Sequence, residues 1–402
     1  MTSLNSLKIS IKTFSIISII LVILGLGGFY FFNAQKAQIS NRFQEKYDPV
    51  PITTPIPEEV CEEYKTVDFA FYDEKPINFE PNNKFGLYVY AERQDFFEIT
   101  SQIVNSNGGE WGYVLIPYNV KDRDYSKWKR VFDDLNRLKL IPVVQLWDVS
   151  LDKYKSETIG AAKFLDRFDW PIKYRYISVY NEPNDKNFWY GKVDPEGYAE
   201  ILNFTIDTFK DRSKDFIMMN GAFNVSAATN STSLESFEYK RRMNKKVPGI
   251  FNKLDAWASH SYPQPHFSGE VLKTGRWSIR AYEDELEFLK RELGVNKDLP
   301  VFITETGWAH AEGYKYDKSF LPSVKVAENF KIAYENVWLL DNRVRAVMPF
   351  TIKYNPPFDH FSWLKDDYKT LYPQGEVVKN MPKLNGEPPI LIKGSYQVAD
   401  CD

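Results

Sequence analysis

Two acids stand where a carboxyl group can do chemistry. Glu182 lies in Tyr180-Asn181-Glu182-Pro183 and closes the run Tyr174-Arg175-Tyr176-Ile177-Ser178-Val179; Glu305 opens Glu305-Thr306-Gly307-Trp308 and closes Pro300-Val301-Phe302-Ile303-Thr304. Both runs are rich in β-branched and aromatic residues and read as strands. Carboxyl groups on two strand tips can face each other across one mouth, and a pair so placed divides its work. One holds a proton for a leaving group, while the other is ionised and attacks. A like charge close by helps to keep one proton on such a pair.

The elements that must position these acids follow a regular order. Strand candidates begin near Phe85, Trp111, Ile141, Tyr174, Phe216, Leu254, Pro300 and Val344, with amphipathic stretches between them such as Asp95 to Asn105, Ser126 to Leu138, Pro195 to Asp211, Ile279 to Leu293 and Ser323 to Leu340. Strands joined through helices run parallel, and eight such units predict an α/β chain folded as a closed (β/α)8 TIM barrel. Its active site is built at the C-terminal strand ends. A doubly wound open sheet is the structural rival, but it usually carries a glycine-rich phosphate turn after its first strand. Gly86-Leu87-Tyr88-Val89-Tyr90-Ala91-Glu92 has no such turn. On this count Glu182 follows strand four and Glu305 strand seven, on opposite sides of the mouth.

Composition narrows the partners. The net charge of −3, from 51 basic and 54 acidic residues in 402, gives no general attraction to nucleic acid. Aromatic residues make up 16% of the chain, enough to fill a core and also to stack on sugars. Phe14 to Phe32 is an uncharged, mostly apolar run preceded by Lys8 and Lys12, of a length that suits a single membrane-spanning helix. No small-residue cleavage site follows it, so we read an uncleaved signal anchor rather than a secreted chain, although cleavage and secretion is the alternative. Residues 1–13 are then a short cytoplasmic tail. Residues 33–66, with Asp48-Pro49-Val50-Pro51-Ile52-Thr53-Thr54-Pro55-Ile56-Pro57, form an extended stem. Residues 67–402 form the barrel domain outside the membrane, where Val67 to Pro81 adds a strand or a lid.

Asn181-Glu182-Pro183 after strand four, together with Thr304-Glu305-Thr306-Gly307-Trp308 after strand seven, resembles the retaining glycoside hydrolases of clan A over about residues 84 to 370. The resemblance implies a carbohydrate substrate, no cofactor and no metal. It makes Glu182 the acid/base, Glu305 the nucleophile and Asn181 the partner of the sugar 2-hydroxyl. His260-Ser261-Tyr262-Pro263 after strand six is similar to the clan's His-x-Tyr, which implies that Tyr262 lies beside the nucleophile and donates to it, and that His260 lines the sugar subsite. Two positions depart from the pattern. Strand two, Tyr113-Val114-Leu115-Ile116-Pro117-Tyr118, lacks the arginine that bonds the nucleophile, and Ala346-Val347-Met348-Pro349-Phe350 lacks the tryptophan that closes strand eight; Phe350 or Trp363 is expected to replace it as the sugar platform.

Among the remaining candidates, Asp148 after strand three and Glu92 after strand one either contact substrate or cap loops. Trp111, Trp147, Trp189, Trp257 and Trp308 are stacking candidates, of which Trp147 and Trp308 sit nearest strand ends. A metal hydrolase finds little support in four histidines, His260, His266, His310 and His360, without an H-E-x-x-H helix. A non-catalytic sugar-binding barrel would need the aromatics but not both acids. A transglycosylase would share the covalent intermediate and differ in what accepts the sugar.

Cys61 and Cys401, the only cysteines, bracket the barrel. An exported barrel whose chain ends lie on one wall predicts a Cys61–Cys401 disulfide. Thiol titration of the unreduced protein from whole cells should find no free thiol; two free thiols would count against both the bond and export of the domain.

Overall fold

The computed structural model describes residues 64–73 and 83–399. The anchor segment Phe14 to Phe32, Cys61 and Cys401 lie outside the described residues. Among those described, no helix is long and apolar enough to cross a membrane.

Strands β2 (Gly86–Tyr88), β3 (Gly112–Asn119), β4 (Leu140–Trp147), β5 (Arg175–Asn181) and β6 (Phe216–Ala222) form a five-stranded parallel sheet, and β7 (Trp257–His260), β8 (Val301–Glu305) and β9 (Val344–Val347) a three-stranded one. Parallel bridges Met219↔Ala256 and Asn224↔His260 join β6 to β7, and Phe85↔Val347 joins β9 to β2. The ring therefore closes into an eight-stranded parallel barrel, and all eight expected strands are present within three residues of where they were expected to start.

A helix follows each barrel strand: α1 (Gln94–Val104), α2 (Tyr125–Arg137), α3 (Tyr154–Leu165), α4 (Pro195–Arg212), α5 (Ser236–Lys246), α6 (Ala281–Glu292), α7 (Ser323–Ala333) and α8 (Pro373–Asn380). Their starts are written locally. Asp124 accepts from the Lys127 N–H at 2.9 Å to cap α2, and Asp194 accepts from Gly197 N–H at 2.9 Å to cap α4, whose first residue is Pro195. A further strand, β1 (Tyr64–Tyr72), pairs with β10 (Leu391–Ala399) in a separate two-stranded sheet. The strand expected from Val67 thus already runs at Tyr64.

Strand alternation sorts the side chains. Tyr113, Leu115, Val143, Met219, Ala258, Phe302 and Ala346 fill the barrel interior, while Val114, Ile116, Val144, Ile177, Val179 and Ile303 pack outward on the helices. Burial on both faces is why these strands read as nearly unbroken apolar runs.

One close crossing fixes the end of β5. The Tyr198 hydroxyl donates to Val179 O at 3.0 Å and accepts from Gly221 N–H at 2.7 Å, stitching α4, β5 and β6 together. A Cβ on Gly221 would stand 2.5 Å from Val179 O and 2.9 Å from Tyr180 O, so no side chain fits without moving the backbone that leads into Glu182. Gly221→Ala should cost about 1–3 kcal/mol, the range for overpacking a dense core, and should lower activity as well. Denaturant unfolding checks this, and an unchanged midpoint would count against the crossing as the constraint on β5.

Candidate active site

The backbone turns both acids into the mouth by breaking the regular strand. On β5, Ser178 points inward and donates to Asn220 O at 3.1 Å. Two residues on, Tyr180 should also point inward, yet its φ of 73° swings the ring outward against Trp189, with centroids 5.6 Å apart. Asn181 therefore faces the mouth, and Glu182, with φ 37°, follows it. Positive φ at two non-glycine residues is strained by an amount on the order of 1 kcal/mol each. Hydrogen bonds hold it in place. Glu182 N–H donates to Ala222 O at 2.9 Å. Buried Asn184 donates to Asn224 O and Leu234 O, both at 3.0 Å, and accepts from Asn224 N–H at 3.0 Å.

On β8 the device is a bulge. Phe302 points into the barrel, so strict alternation would aim Glu305 at the helices. The register passes from Ser259↔Ile303 to His260↔Glu305, leaving Thr304 as the extra residue. That one-residue slip returns Glu305 to the interior face.

The result is a compact cluster. One carboxylate oxygen of Glu182, one of Glu305 and one His260 nitrogen lie within 4.8 Å of one another. His260 Nδ1 is 2.9 Å from Glu182 Oε1 and 3.6 Å from Glu305 Oε2. The Tyr262 hydroxyl donates to Glu305 Oε2 at 3.0 Å, as the resemblance implied. Among the described residues Oε1 of Glu305 has no hydrogen-bond partner. Gln145, buried on β4, donates from Nε2 to Asn181 Oδ1 at 3.0 Å. This fixes the Asn181 amide with its oxygen engaged by Gln145 and its N–H group left to donate elsewhere.

Electrostatics follow from enclosure. Burial pushes the Glu305 carboxyl up to about 7; the Glu182 charge adds to this, while His260 and the Tyr262 hydrogen bond pull against it. Burial also works against a charged His260, but the Glu305 and Glu182 carboxylates outweigh it and hold the imidazole above its ordinary value. Among the described residues His260 is the only cationic side chain within 4 Å of either glutamate, so the place of the missing arginine is not taken by a permanent charge. The trio is also the one cluster among the described residues with donors that can converge on a cation. The 2.9 Å contact is already a direct hydrogen bond, which an ion would have to displace.

The other expected residues divide sharply. Trp147, at the tip of β4, is 48% exposed and presents a ring to solvent. Trp308 and Trp363 are corrected: each is 1% exposed, and both pack edge-on against Phe330 in the wall between barrel and helices, at 5.3 and 5.2 Å. Trp308 also donates to Gly269 O at 2.9 Å. Neither offers a face to a sugar. Trp189 and Trp257 are buried too. Asp148 accepts from Asn119 Nδ2 at 2.9 Å and pairs with Lys121 at 3.2 Å, and Glu92 pairs with Lys127 at 3.5 Å, so both tie loops together. Phe350 stands half-buried beside Tyr88 and Tyr354, with centroids 5.0 and 5.3 Å away, and the Glu305 charge reaches both tyrosines.

Gln145, Asn184, Tyr88 and Tyr354 were not singled out in the sequence. Gln145 had a signal, a lone polar residue at an inward position of the apolar run Leu140-Ile141-Pro142-Val143-Val144-Gln145.

No family model matches the chain, and no curated protein is similar to it. Among solved structures, a monomeric beta-xylosidase from Caulobacter crescentus CB15 superposes with a TM-score of 0.51 at 14% identity, over 74% of this chain and 67% of that one. A GH128 (subgroup II) endo-beta-1,3-glucanase from Pseudomonas viridiflava gives 0.47 at 15% identity, over 75% and 99%. An active-site mutant of the Rhizomucor miehei beta-1,3-glucanosyltransferase gives 0.45 at 13% identity, over 72% and 95%. At such identities the likeness is one of fold, and the chain shares the barrel architecture of the beta-xylosidase.

Proposed function

We propose that the chain is a retaining glycosidase of the clan A type, cleaving a poly- or oligosaccharide outside the membrane, with Glu305 as nucleophile and Glu182 as acid/base. The observation that carries this reading is the opposed carboxyl pair at the C-terminal mouth, with oxygens within 4.8 Å. Carboxyls about 5–5.5 Å apart allow direct attack on the anomeric carbon, whereas an inverting site needs roughly 6.5–9.5 Å to admit a water. The beta-xylosidase that shares the barrel supports a glycosidic bond as the target.

The steps follow from the contacts. Tyr262 occupies Oε2 of Glu305, so Oε1 forms the bond to the anomeric carbon as the glycosidic bond breaks. Glu182 gives its proton to the departing oxygen. The Asn181 N–H group, oriented by Gln145, is placed to donate to the 2-hydroxyl, a bond that tightens as the ring flattens. Glu182 then takes a proton from water, whose oxygen attacks the same carbon and expels Glu305 with configuration retained. A sugar hydroxyl in place of water would give transfer rather than hydrolysis, and longer products would reveal it. Phe350 and Tyr354, partly exposed and packed on each other at 5.3 Å, serve as the platform for the bound sugar, and Trp147 serves a sugar farther out.

Glu305→Ala should lose about four or more orders of magnitude on every substrate, because no glycosyl-enzyme forms. Glu182→Ala should remain able to use a substrate whose leaving group needs no proton, and azide should then release product of retained configuration. Rescue of the Glu305 variant with retained configuration, or inverted product from the wild type, would sink the assignment.

The pH profile gives a separate check. Glu305 must be ionised to attack and its carboxyl is pushed up to about 7, so the acidic limb of kcat/KM should rise with pH through about 7. Tyr262→Phe removes a hydrogen bond that favours the ionised form, so its acidic limb should lie at higher pH. A limb at the ordinary carboxylate range near 4–5, unmoved in the variant, would contradict this account.

A further inference from the structure

We propose that Glu285, a buried acid on α6 outside the reacting cluster, is a positioning residue that holds the catalytic strand β7 from behind. The proposal rests on the reading of Glu182 and Glu305 as the reacting pair. Lys240 on α5 and Glu285 are both 0% exposed and pair at 2.9 Å. The lysine is boxed by the rings of Phe223, Phe237 and Trp257, at 4.7, 4.9 and 5.4 Å from their centroids. Oε1 of Glu285 takes the lysine. Oε2 accepts from Trp257 Nε1 at 3.1 Å and from the Ser259 hydroxyl at 2.6 Å.

Trp257 and Ser259 are two apart, so one carboxylate oxygen clips the outer face of β7 at consecutive outward positions. The inward residues that alternate with them are Ala258 and His260. A carboxylate only accepts, so the single Ser259 hydrogen goes to Glu285, and the Ser261 hydroxyl, 2.9 Å away, must donate to Ser259. The Ser261 carbonyl in turn accepts from Thr306 Oγ1 at 2.6 Å, and Thr306 is the residue after Glu305. A continuous buried chain of hydrogen bonds thus runs from the helix layer, past both sides of His260, to the nucleophile's neighbour.

Two further features call for such a clip. β7 is four residues long and its backbone meets that of β6 through isolated bridges, Met219↔Ala256 and Asn224↔His260, rather than a full ladder, with the Asn220 side chain of β6 accepting from Ala258 N–H at 3.0 Å and donating to Ala258 O at 2.9 Å between them. A buried ion pair is also a poor way to add stability, because desolvating both charges offsets their attraction, and an apolar pair of equal volume does as well or better. What a fully bonded buried pair does supply is a single geometry.

The test uses the full-length chain and two variants. Ser259→Ala removes one hydroxyl, and Lys240→Met with Glu285→Leu replaces the ion pair by apolar side chains of similar size. The chain has four histidines, so His260 ring signals can be followed by NMR after assignment with His260→Gln, with His266, His310 and His360 as internal controls. In both variants the His260 signal and its titration midpoint should move while the other three hold. On an activated glycoside kcat should fall about tenfold with KM within twofold and melting temperatures within a few degrees. An unmoved His260 signal, or a moved signal with kcat within twofold of wild type, overturns the proposal. Should the double variant fail to fold, Ser259→Ala decides alone. If the wild type cleaves no glycoside, the NMR arm still reads the positioning, so failure of the glycosidase reading is distinguishable from failure of this one.

Discussion

One carboxyl oxygen of Glu182 and one of Glu305 are held within 4.8 Å of each other in a largely enclosed mouth, and the rest of the molecule answers to that constraint. At an effective dielectric constant of about 20, two full charges at that distance repel by roughly 3 kcal/mol. No flexible arrangement would keep them together. A closed barrel does, because strands four and seven of the ring are opposite walls of one rigid shell, and bringing the acids apart would mean opening it. The repulsion is met by an imidazole set between the carboxylates and a phenol on one of them, both carried by β7 and the residues just after it. The short strand β7 is therefore the hinge of the electrostatics, although neither acid belongs to it.

Aiming the acids required the chain to depart from ideal strand geometry at each site. The positive φ values at Tyr180 and Glu182 and the extra residue at Thr304 are local defects with a common result, an acid on the interior face where parity alone would place something else. Such defects persist only where the surroundings over-determine them. Here Gly221 leaves room for the β5 backbone, Tyr198 ties it on both sides, and Asn184 satisfies the loop behind Glu182.

This explains what the sequence disclosed. The eight strands were legible because both of their faces are buried, which writes them as apolar runs, and the five amphipathic helices because one face is not. The other three helices were expected between their strands but not delimited. α5 is so basic that it buries only Ser236, Tyr239, Lys240 and Met243, α3 covers the barrel largely with small residues such as Ala161 and Ala162, and α8 is only eight residues long. The acids were legible from the residues flanking them, but their orientation was not, since strict alternation gives the wrong face for Glu305. Trp308 and Trp363 misled for a related reason. Position at a strand end says that a ring is near the mouth, while the positive φ at Gly307 and the packing on Phe330, which decide whether it faces in or out, depend on residues distant in sequence. Gln145 and Asn184 act only through partners on other strands or loops.

Strand two carries no arginine to stand beside Glu305, unlike the clan the sequence resembles, and the proposed mechanism turns on what stands there instead. An arginine beside the nucleophile would be a permanent charge, indifferent to the state of the acid across the mouth. In this chain the balancing group is an imidazole 2.9 Å from Glu182 and 3.6 Å from Glu305, and the carboxylates around it hold its proton. In the proposed mechanism Glu305 would pass from carboxylate to ester and lose its charge, and the imidazole would lose one of the charges that hold its proton. On that proposal the His260 nitrogen links the charge states of the two acids, which a fixed guanidinium beside Glu305 alone would not do.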